Sequence, residues 1–175
     1  MKKILFLVML VAIFVSCNNS ATTSSSDETA ANKAKAQRFY DEVINGHNAA
    51  LIDSFCIKDF TDHNPSPGHS GKGSDDLRAV FNDMFAAFPD IRATTDFMIA
   101  HGDTVVTYIT MTGTNSGATS TMPATNKSFK INGIDIVVVK DGKATDRWGL
   151  FDDMTMMTQL GIIPSSDTAT TKNKK

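Results

Sequence analysis

Residues 128–151 read SFKINGIDIVVVKDGKATDRWGLF, which is the pattern of a β-hairpin. The Asp141-Gly142 pair is a strong signal for a two-residue turn, and stretches rich in β-forming residues flank it on both sides. This pattern predicts strands over Ser128–Lys140 and Lys143–Phe151. Because a two-residue turn sets the register, the pairing of the two strands can be counted outward from it.

This count places Asp135 directly opposite Trp148. Since residues two apart share a face of a strand, Asp135 is predicted to lie on an apolar face, with Arg147 on the opposite face. Gly133 leaves space beside it. A carboxylate in apolar surroundings is suited to proton transfer, because burial disfavours the charged form. The alternatives are that Asp135 only forms structural hydrogen bonds, or that this face lies outward. The apolar residues predicted for the same face are Phe129, Ile131, Val137, Val139, Trp148 and Leu150.

The segments before the hairpin supply the remaining elements. Two further strands precede it, and apolar residues at three- and four-residue steps predict helices before those strands. Helices followed by an antiparallel meander predict an α+β fold, with N-terminal helices packed on one face of a curved sheet. The predicted strands are Ile91–His101 and Thr104–Gly113, and the predicted helices lie around Phe39–Ile44, Ala49–Phe55, Leu77–Phe88 and Asp153–Leu160.

Both faces of the predicted hairpin are apolar. Ile134, Ile136 and Val138 lie on the face opposite to that of Asp135. The helices can cover only one face of the sheet, so the other face needs a different cover. This arrangement predicts a homodimer that forms across the sheet.

The N-terminus predicts export and lipid anchoring. Lys2 and Lys3 precede an unbroken apolar run, Ile4–Val15, which is the pattern of a signal peptide. The residues just before Cys17 resemble the lipobox of bacterial lipoproteins, which implies cleavage before Cys17 and lipidation there. The alternative is an ordinary secretory signal. The predicted organisation is a signal peptide at 1–16, a disordered tether at 17–35, one domain at 36–164 and a disordered tail at 165–175. The predicted location is the cell envelope, at the outer membrane if the cell has one.

Charge and residue spacing narrow the classes of partner. The chain has 17 Lys and Arg against 19 Asp and Glu, and no basic stripe, which argues against binding of nucleic acid. The four histidines are scattered without the spacing of a metal site, and no phosphate-binding loop occurs, so neither metal nor cofactor is expected. If Cys17 is lipidated, Cys56 has no partner for a disulfide. Cys56 is predicted to be a buried, inert thiol.

Several segments, taken in order, together resemble one family: 62–65, 113–117, 134–136, 141–143, 147–148 and 160–164. The chain is similar to the SnoaL-like polyketide cyclases, or ester cyclases, which have the cone-shaped fold of the nuclear transport factor 2-like superfamily. The resemblance implies an apolar pocket, with Asp135 as general acid and base and His63 as a second catalytic residue near the pocket mouth. Where many members have a histidine, this chain has Asn115, which can donate a hydrogen bond but cannot transfer a proton.

Two functions are compatible with these features. The first is an enzyme that performs cofactor-independent acid–base chemistry on a small apolar carbonyl compound, using Asp135. The second is a non-catalytic, lipid-anchored protein that binds an apolar small molecule in the same pocket. In both, the substrate-binding residues are predicted to be Asn115, Trp148, Phe129, Ile131 and Leu150. Fold alone cannot choose between the two functions.

Overall fold

A computed structural model describes residues 20–119 and 123–164 of the chain, without the side chains of residues 20–25. The predicted signal peptide, Cys17 and the predicted tail lie outside the described residues. The helices are α1 (Ser20–Arg38), which continues as a π-helical segment (Phe39–Ile44), α2 (Ile52–Phe55) after a 3-10 turn (Ala49–Leu51), α3 (Gly73–Ala87) and α4 (Asp153–Gln159). The strands are β1 (Cys56–Asp62), β2 (Arg92–His101), β3 (Thr104–Thr114), β4 (Ser128–Lys140) and β5 (Lys143–Phe151).

The five strands form one curved sheet in the order β1-β5-β4-β3-β2. Strands β2 to β5 are an antiparallel meander, and helices pack on one of its faces, which confirms the predicted α+β class. Asp141 and Gly142 both have positive φ values, of 50° and 71°, as a two-residue hairpin turn requires. Strand β1 was not predicted. It adds to the edge of the sheet in parallel with β5 and places Asp62 beside Arg147.

A β-bulge in β5 changes the predicted register of the hairpin. Val139 pairs with Ala144 as expected, but Val138 pairs with Asp146, so Thr145 is an extra residue in β5. Every later pair is shifted by one, and Asp135 faces Gly149 instead of Trp148. Because a shift of one residue moves side chains to the other face of a strand, the predicted faces of the β5 residues beyond the bulge are wrong.

Helix α1 replaces most of the predicted disordered tether, since it begins at Ser20. The predicted tether contains alanines, a glutamate and lysines, which favour helix. Tertiary contacts also hold the helix in place. Asn32 is buried, and its side-chain amide donates a hydrogen bond to the carbonyl oxygen of Gly102. The domain therefore begins before the predicted boundary at residue 36.

The core lies between the helices and the inner face of the sheet. Its largest fully buried side chains include Ile52, Phe60, Ile91 and Ile109. The Asn45 side chain joins the two layers, because its amide donates to the carbonyl oxygen of Ala93 and accepts from the Ala93 amide. Within the described part of the chain, no helix is long and apolar enough to cross a membrane.

Candidate functional site

Asp135 lies on the inner face of the sheet, as predicted, but an arginine faces it there. The bulge turns Arg147 inward, and its Nε donates to Oδ1 of Asp135 at 2.8 Å, with Nη2 2.7 Å from the same oxygen. The remaining terminal nitrogen, Nη1, donates to Oδ2 of Asp62 at 2.7 Å. Tyr40 completes the group, because its hydroxyl donates to Oδ2 of Asp135 at 2.9 Å. We call these four residues, Tyr40, Asp62, Asp135 and Arg147, the buried polar network.

The π-helical segment after α1 brings Tyr40 to this network. The amide of Asn45 donates to the carbonyl oxygen of Tyr40, five residues earlier, as a π-helix requires. Isolated π-helical turns occur frequently at functional sites, because they change the angle at which side chains leave the helix. The phenol of Tyr40 is 3% exposed and reaches a strand 95 positions later in the chain.

The network holds its arginine charged and its tyrosine neutral. Burial alone would lower the pKa of Arg147, but the carboxylates of Asp135 and Asp62 outweigh burial and raise this pKa above its ordinary value. Burial, followed by the charge of Asp135, raises the pKa of Tyr40 well above its ordinary value. Two carboxylates and one guanidinium give the network a formal net charge of −1.

The carboxylate of Asp135 is held in place by its neighbours. Oδ1 accepts from Nε of Arg147 and lies 2.7 Å from Nη2, and Oδ2 accepts from Tyr40. One acceptor position on Oδ2 is left for a ligand, since a carboxylate oxygen accepts two hydrogen bonds. Asp135 can therefore accept a hydrogen bond from a bound molecule.

An apolar cleft opens next to the network. It contains about 520 Å³ of space between atoms, a figure that includes the open solvent at its mouth. Apolar side chains from both layers form most of its wall, while Asp135, Tyr40 and Arg147 form its polar part. The other lining residues are Lys35, Ala36, Phe39, Phe55, Cys56, Phe60, Leu77, Val137, Val139 and Ala144.

Three of the predicted site residues lie on the outer face of the sheet. The shifted register pairs Trp148 with Ile136 and Leu150 with Ile134, on the face opposite to that of Asp135. The ring of His63 stacks on Trp148, with centroids 4.2 Å apart, and His63 Nε2 lies 2.9 Å from Asp146 Oδ1. The prediction that Trp148 and Leu150 face the pocket is therefore wrong. His63 cannot reach Asp135, because the sheet separates the two side chains.

Three other predicted residues are buried but do not line the cleft. Phe129 and Ile131 are buried in the core, and the Phe129 ring packs edge-on against Phe88 at 5.1 Å. Asn115 is fully buried, where its amide nitrogen donates to the carbonyl oxygen of Gly117 and its oxygen accepts from the amide of Thr125. Its side chain holds a loop together instead of facing the cleft.

The space expected beside Gly133 is filled. The register pairs Gly133 with Phe151, and a Cβ atom at Gly133 would lie 2.3 Å from Cδ1 of the Phe151 ring. Arg147 lies over the same ring, with its Cζ 5.6 Å from the centroid. The glycine therefore allows Phe151 to pack beneath the arginine.

The residues that sequence reasoning missed are Tyr40, Asp62, Arg147 and Lys35. Tyr40 and Asp62 come from elements far from the hairpin in sequence, so no local pattern links them to Asp135. Arg147 was predicted to lie on the wrong face of the sheet, because the register counted from the turn did not include the bulge. Cys56 was predicted to be buried and inert, and the structure confirms its burial. Burial is the main reason that its pKa is raised to about 12, so the thiol is protonated at neutral pH.

Within residues 20–119 and 123–164, no three His, Cys, Asp or Glu side chains gather in a way that could hold a metal ion.

Comparison with known proteins identifies the family. Residues 34–160 match the model of the SnoaL-like polyketide cyclase family, which is most of the chain. No curated protein sequence matches the chain significantly. A structure assigned as a polyketide cyclase from Bacillus cereus ATCC 10987 is 30% identical, with a TM-score of 0.67, over 79% of this chain and 86% of that one.

Two more distant structures have the same fold. TsrD from Streptomyces laurentii is 23% identical, with a TM-score of 0.68, over 77% of this chain and 97% of that one. A SnoaL-like polyketide cyclase structure from Jannaschia sp. CCS1 is 18% identical, with a TM-score of 0.69, over 78% of this chain and 96% of that one. These two likenesses concern the fold alone, whereas the match to the family model over residues 34–160 shows that the chain belongs to the SnoaL-like polyketide cyclase family.

Proposed function

We propose that this protein binds a small apolar molecule in the cleft beside the buried polar network and does not convert it. The observation that carries the proposal is the ion pair between Arg147 and Asp135. A general base must be free to turn toward the substrate, whereas the guanidinium holds Oδ1 of this carboxylate at 2.7–2.8 Å and the hydroxyl of Tyr40 donates to Oδ2. The expected second catalytic residue, His63, lies on the other side of the sheet.

The cleft offers what a binding site needs. Its wall is mostly apolar, which provides affinity for an apolar molecule, and the free acceptor position on Asp135 can orient a hydroxyl or amine. The buried polar network is held by four hydrogen bonds and ion pairs, so it is ordered before a ligand binds.

A substitution that fills the cleft tests this proposal. Ala36 lines the cleft, whereas Ala34 is exposed on the same helix. The test protein is the Cys17→Ala variant of the mature chain, which begins at residue 17 and so carries neither the predicted signal peptide nor a lipid. When this protein is purified without detergent, we expect a small apolar compound to co-purify and to be detected by mass spectrometry. Adding Ala36→Trp should remove that compound, and adding Ala34→Trp should leave it bound. Retention in the Ala36→Trp protein would exclude the cleft as the binding site.

Acid–base catalysis is the second candidate, and family membership favours it. The SnoaL-like family is named for polyketide cyclases, and the inward position of Asp135 agrees with the role that the resemblance gives it. In that case a carbonyl compound from the cleft would be recovered in an altered form after incubation with the protein. Asp135→Asn should then abolish turnover while binding persists, whereas a binding protein has no turnover to lose.

We also propose that the protein forms a homodimer and is attached to a membrane of the cell envelope by a lipid anchor. A homodimer across the sheet is supported by the apolar outer face, where Phe97, Ile99 and Leu150 are 52%, 62% and 60% exposed.

A lipid anchor at Cys17 is supported by the signal-like sequence before it. Incorporation of a labelled fatty acid, lost in Cys17→Ala, is the result expected for the anchor. Label that persists in the variant would exclude Cys17 as the site.

A further inference from the structure

Lys35 places a positive charge at the mouth of the cleft. Its ammonium donates to the carbonyl oxygen of Ser54 at 2.9 Å and lies 4.9 Å from the centroid of the Phe55 ring, which lines the cleft. The Lys35 side chain is half-buried, whereas Tyr40 and Asp135 are buried. The cleft therefore has a cation at its open end and the buried polar network at its closed end.

The ammonium of Lys35 has hydrogen-bonding capacity to spare. It carries three donors, of which the bond to Ser54 uses one. Glu42, an acidic residue farther along the same helical stretch, is already bonded to Arg38 by both of its oxygens, at 2.7 and 3.3 Å. In the described part of the chain, Lys35 takes part in no ion pair with a carboxylate. A negatively charged group at the mouth could thus be bound without displacing another partner.

The charges of the cleft also fix the orientation of such a ligand. Arg147 already has two carboxylate partners, whose two negative charges exceed its single positive charge. The net negative charge of the buried polar network disfavours an anionic group at the closed end. An anion can be stabilised only at the mouth, beside Lys35, and its apolar part must then point inward along Phe39 and Val137.

We infer that the cleft binds an amphipathic monoanion, with an aliphatic or aromatic body inside and a carboxylate group on Lys35. This inference rests on the proposed binding function and names the class of ligand that the cleft selects. Lys35 is the residue that would determine this selectivity, since the remaining wall near the mouth is apolar.

Paired ligands that differ only in charge test the inference. Decanoate and decanol have the same chain length, and their affinities for the detergent-free Cys17→Ala protein can be measured by calorimetry. We expect decanoate to bind about tenfold more tightly than decanol, and the difference to shrink as salt is added. Lys35→Met keeps an apolar stem over Phe55 and should remove the preference. Lys33→Met changes an exposed lysine of the same helix and should leave the preference unchanged.

The outcomes separate this inference from the proposed function. Equal affinities of the unmodified cleft for decanoate and decanol would overturn the role of Lys35 while leaving the binding function intact. A preference that survives Lys35→Met would overturn it as well. If neither compound binds at millimolar concentration, and no apolar molecule co-purifies, the proposed function itself fails.

Discussion

Arg147 and Asp135 form an ion pair on the inner face of the sheet, with Nε of the arginine 2.8 Å from Oδ1 of the aspartate. The pair is only possible because the bulge at Thr145 turns Arg147 to the same face as Asp135. The same bulge turns Trp148 outward to stack on His63. One extra residue thus determines both the chemistry of the cleft and the composition of the outer face.

The first prediction concerns the charge balance of the buried polar network. Arg147→Met leaves the carboxylates of Asp62 and Asp135 buried without a positive charge between them. We expect the free energy of unfolding to fall by about 3 kcal/mol, the low end for removing one partner of a buried ion pair. Urea denaturation measures it. Adding Asp135→Asn to Arg147→Met should recover part of the loss, because it removes one uncompensated charge. A double variant that is less stable than Arg147→Met alone would contradict this account.

The second prediction concerns packing beneath the arginine. Gly133→Ala places a Cβ atom 2.3 Å from the Phe151 ring, so the ring must move and the contact below Arg147 must change. We expect a loss of about 1–3 kcal/mol in stability, as for other overpacked cores. Thermal denaturation followed by circular dichroism measures it. Val137→Ala on the same strand serves as the control, because it removes side-chain volume and thus separates the effect of crowding from that of a cavity. Gly142→Ala is unsuitable as a control, because the positive φ of Gly142 would itself strain an alanine.

Strands β2 to β5 could be predicted from sequence because they depend on local patterns, whereas β1 was missed. Periodic apolar residues and the Asp141-Gly142 turn gave β4 and β5 with the observed ends. The bulge at Thr145 could not be predicted, because neither glycine nor proline marks it. Its position is supported by long-range interactions, such as the bond between Arg147 and Asp62 on strand β1.

The candidate site was predictable only in part for the same reason. The inward position of Asp135 follows from alternation along a single strand. Its partners come from three different elements: the π-helical segment with Tyr40, β1 with Asp62, and the shifted β5 with Arg147. The alternation of side chains along one strand does not show which elements meet across the core. The neighbours of Asp135 could therefore be identified only from the three-dimensional structure.

The third prediction concerns the pH dependence of stability. Burial raises the pKa of Cys56 from an ordinary 9.0 to about 12 in the folded protein. A group whose pKa is raised on folding stabilises the protein fully below its unfolded pKa, and this contribution is lost as pH rises. We therefore expect the titration of this thiol to lower the free energy of unfolding by about 1.4 kcal/mol as the pH rises from 7.5 to 10.

The Cys56→Ala variant isolates this effect. It should be less stable at neutral pH, because a buried side chain becomes smaller, but its stability should fall less steeply above pH 9. Urea denaturation of both proteins at pH 7.5, 9 and 10 gives the comparison. Parallel pH dependence of the two proteins would show that the thiol titrates alike in the folded and unfolded states.

The last prediction concerns the outer face of the sheet, where two cross-strand rows of apolar residues lie side by side. One row runs through Phe97, Tyr108, Ile134 and Leu150, and the next through Ile99, Val106, Ile136 and Trp148. In a monomer this surface would be left to water, so we expect a second copy of the chain to cover it. The detergent-free Cys17→Ala protein should sediment at twice its monomer mass at micromolar concentration.

Leu150→Glu should shift this equilibrium toward the monomer, because a charge would be buried in the interface without a partner. Met154→Glu is the matched control, since Met154 is even more exposed, at 71%, but lies on α4, outside the two rows. Trp148 reports on the same surface: its fluorescence should be less accessible to acrylamide in the dimer than in the Leu150→Glu protein. A monomeric parent protein, or dimers that persist unchanged in Leu150→Glu, would show that this face is not where two chains meet.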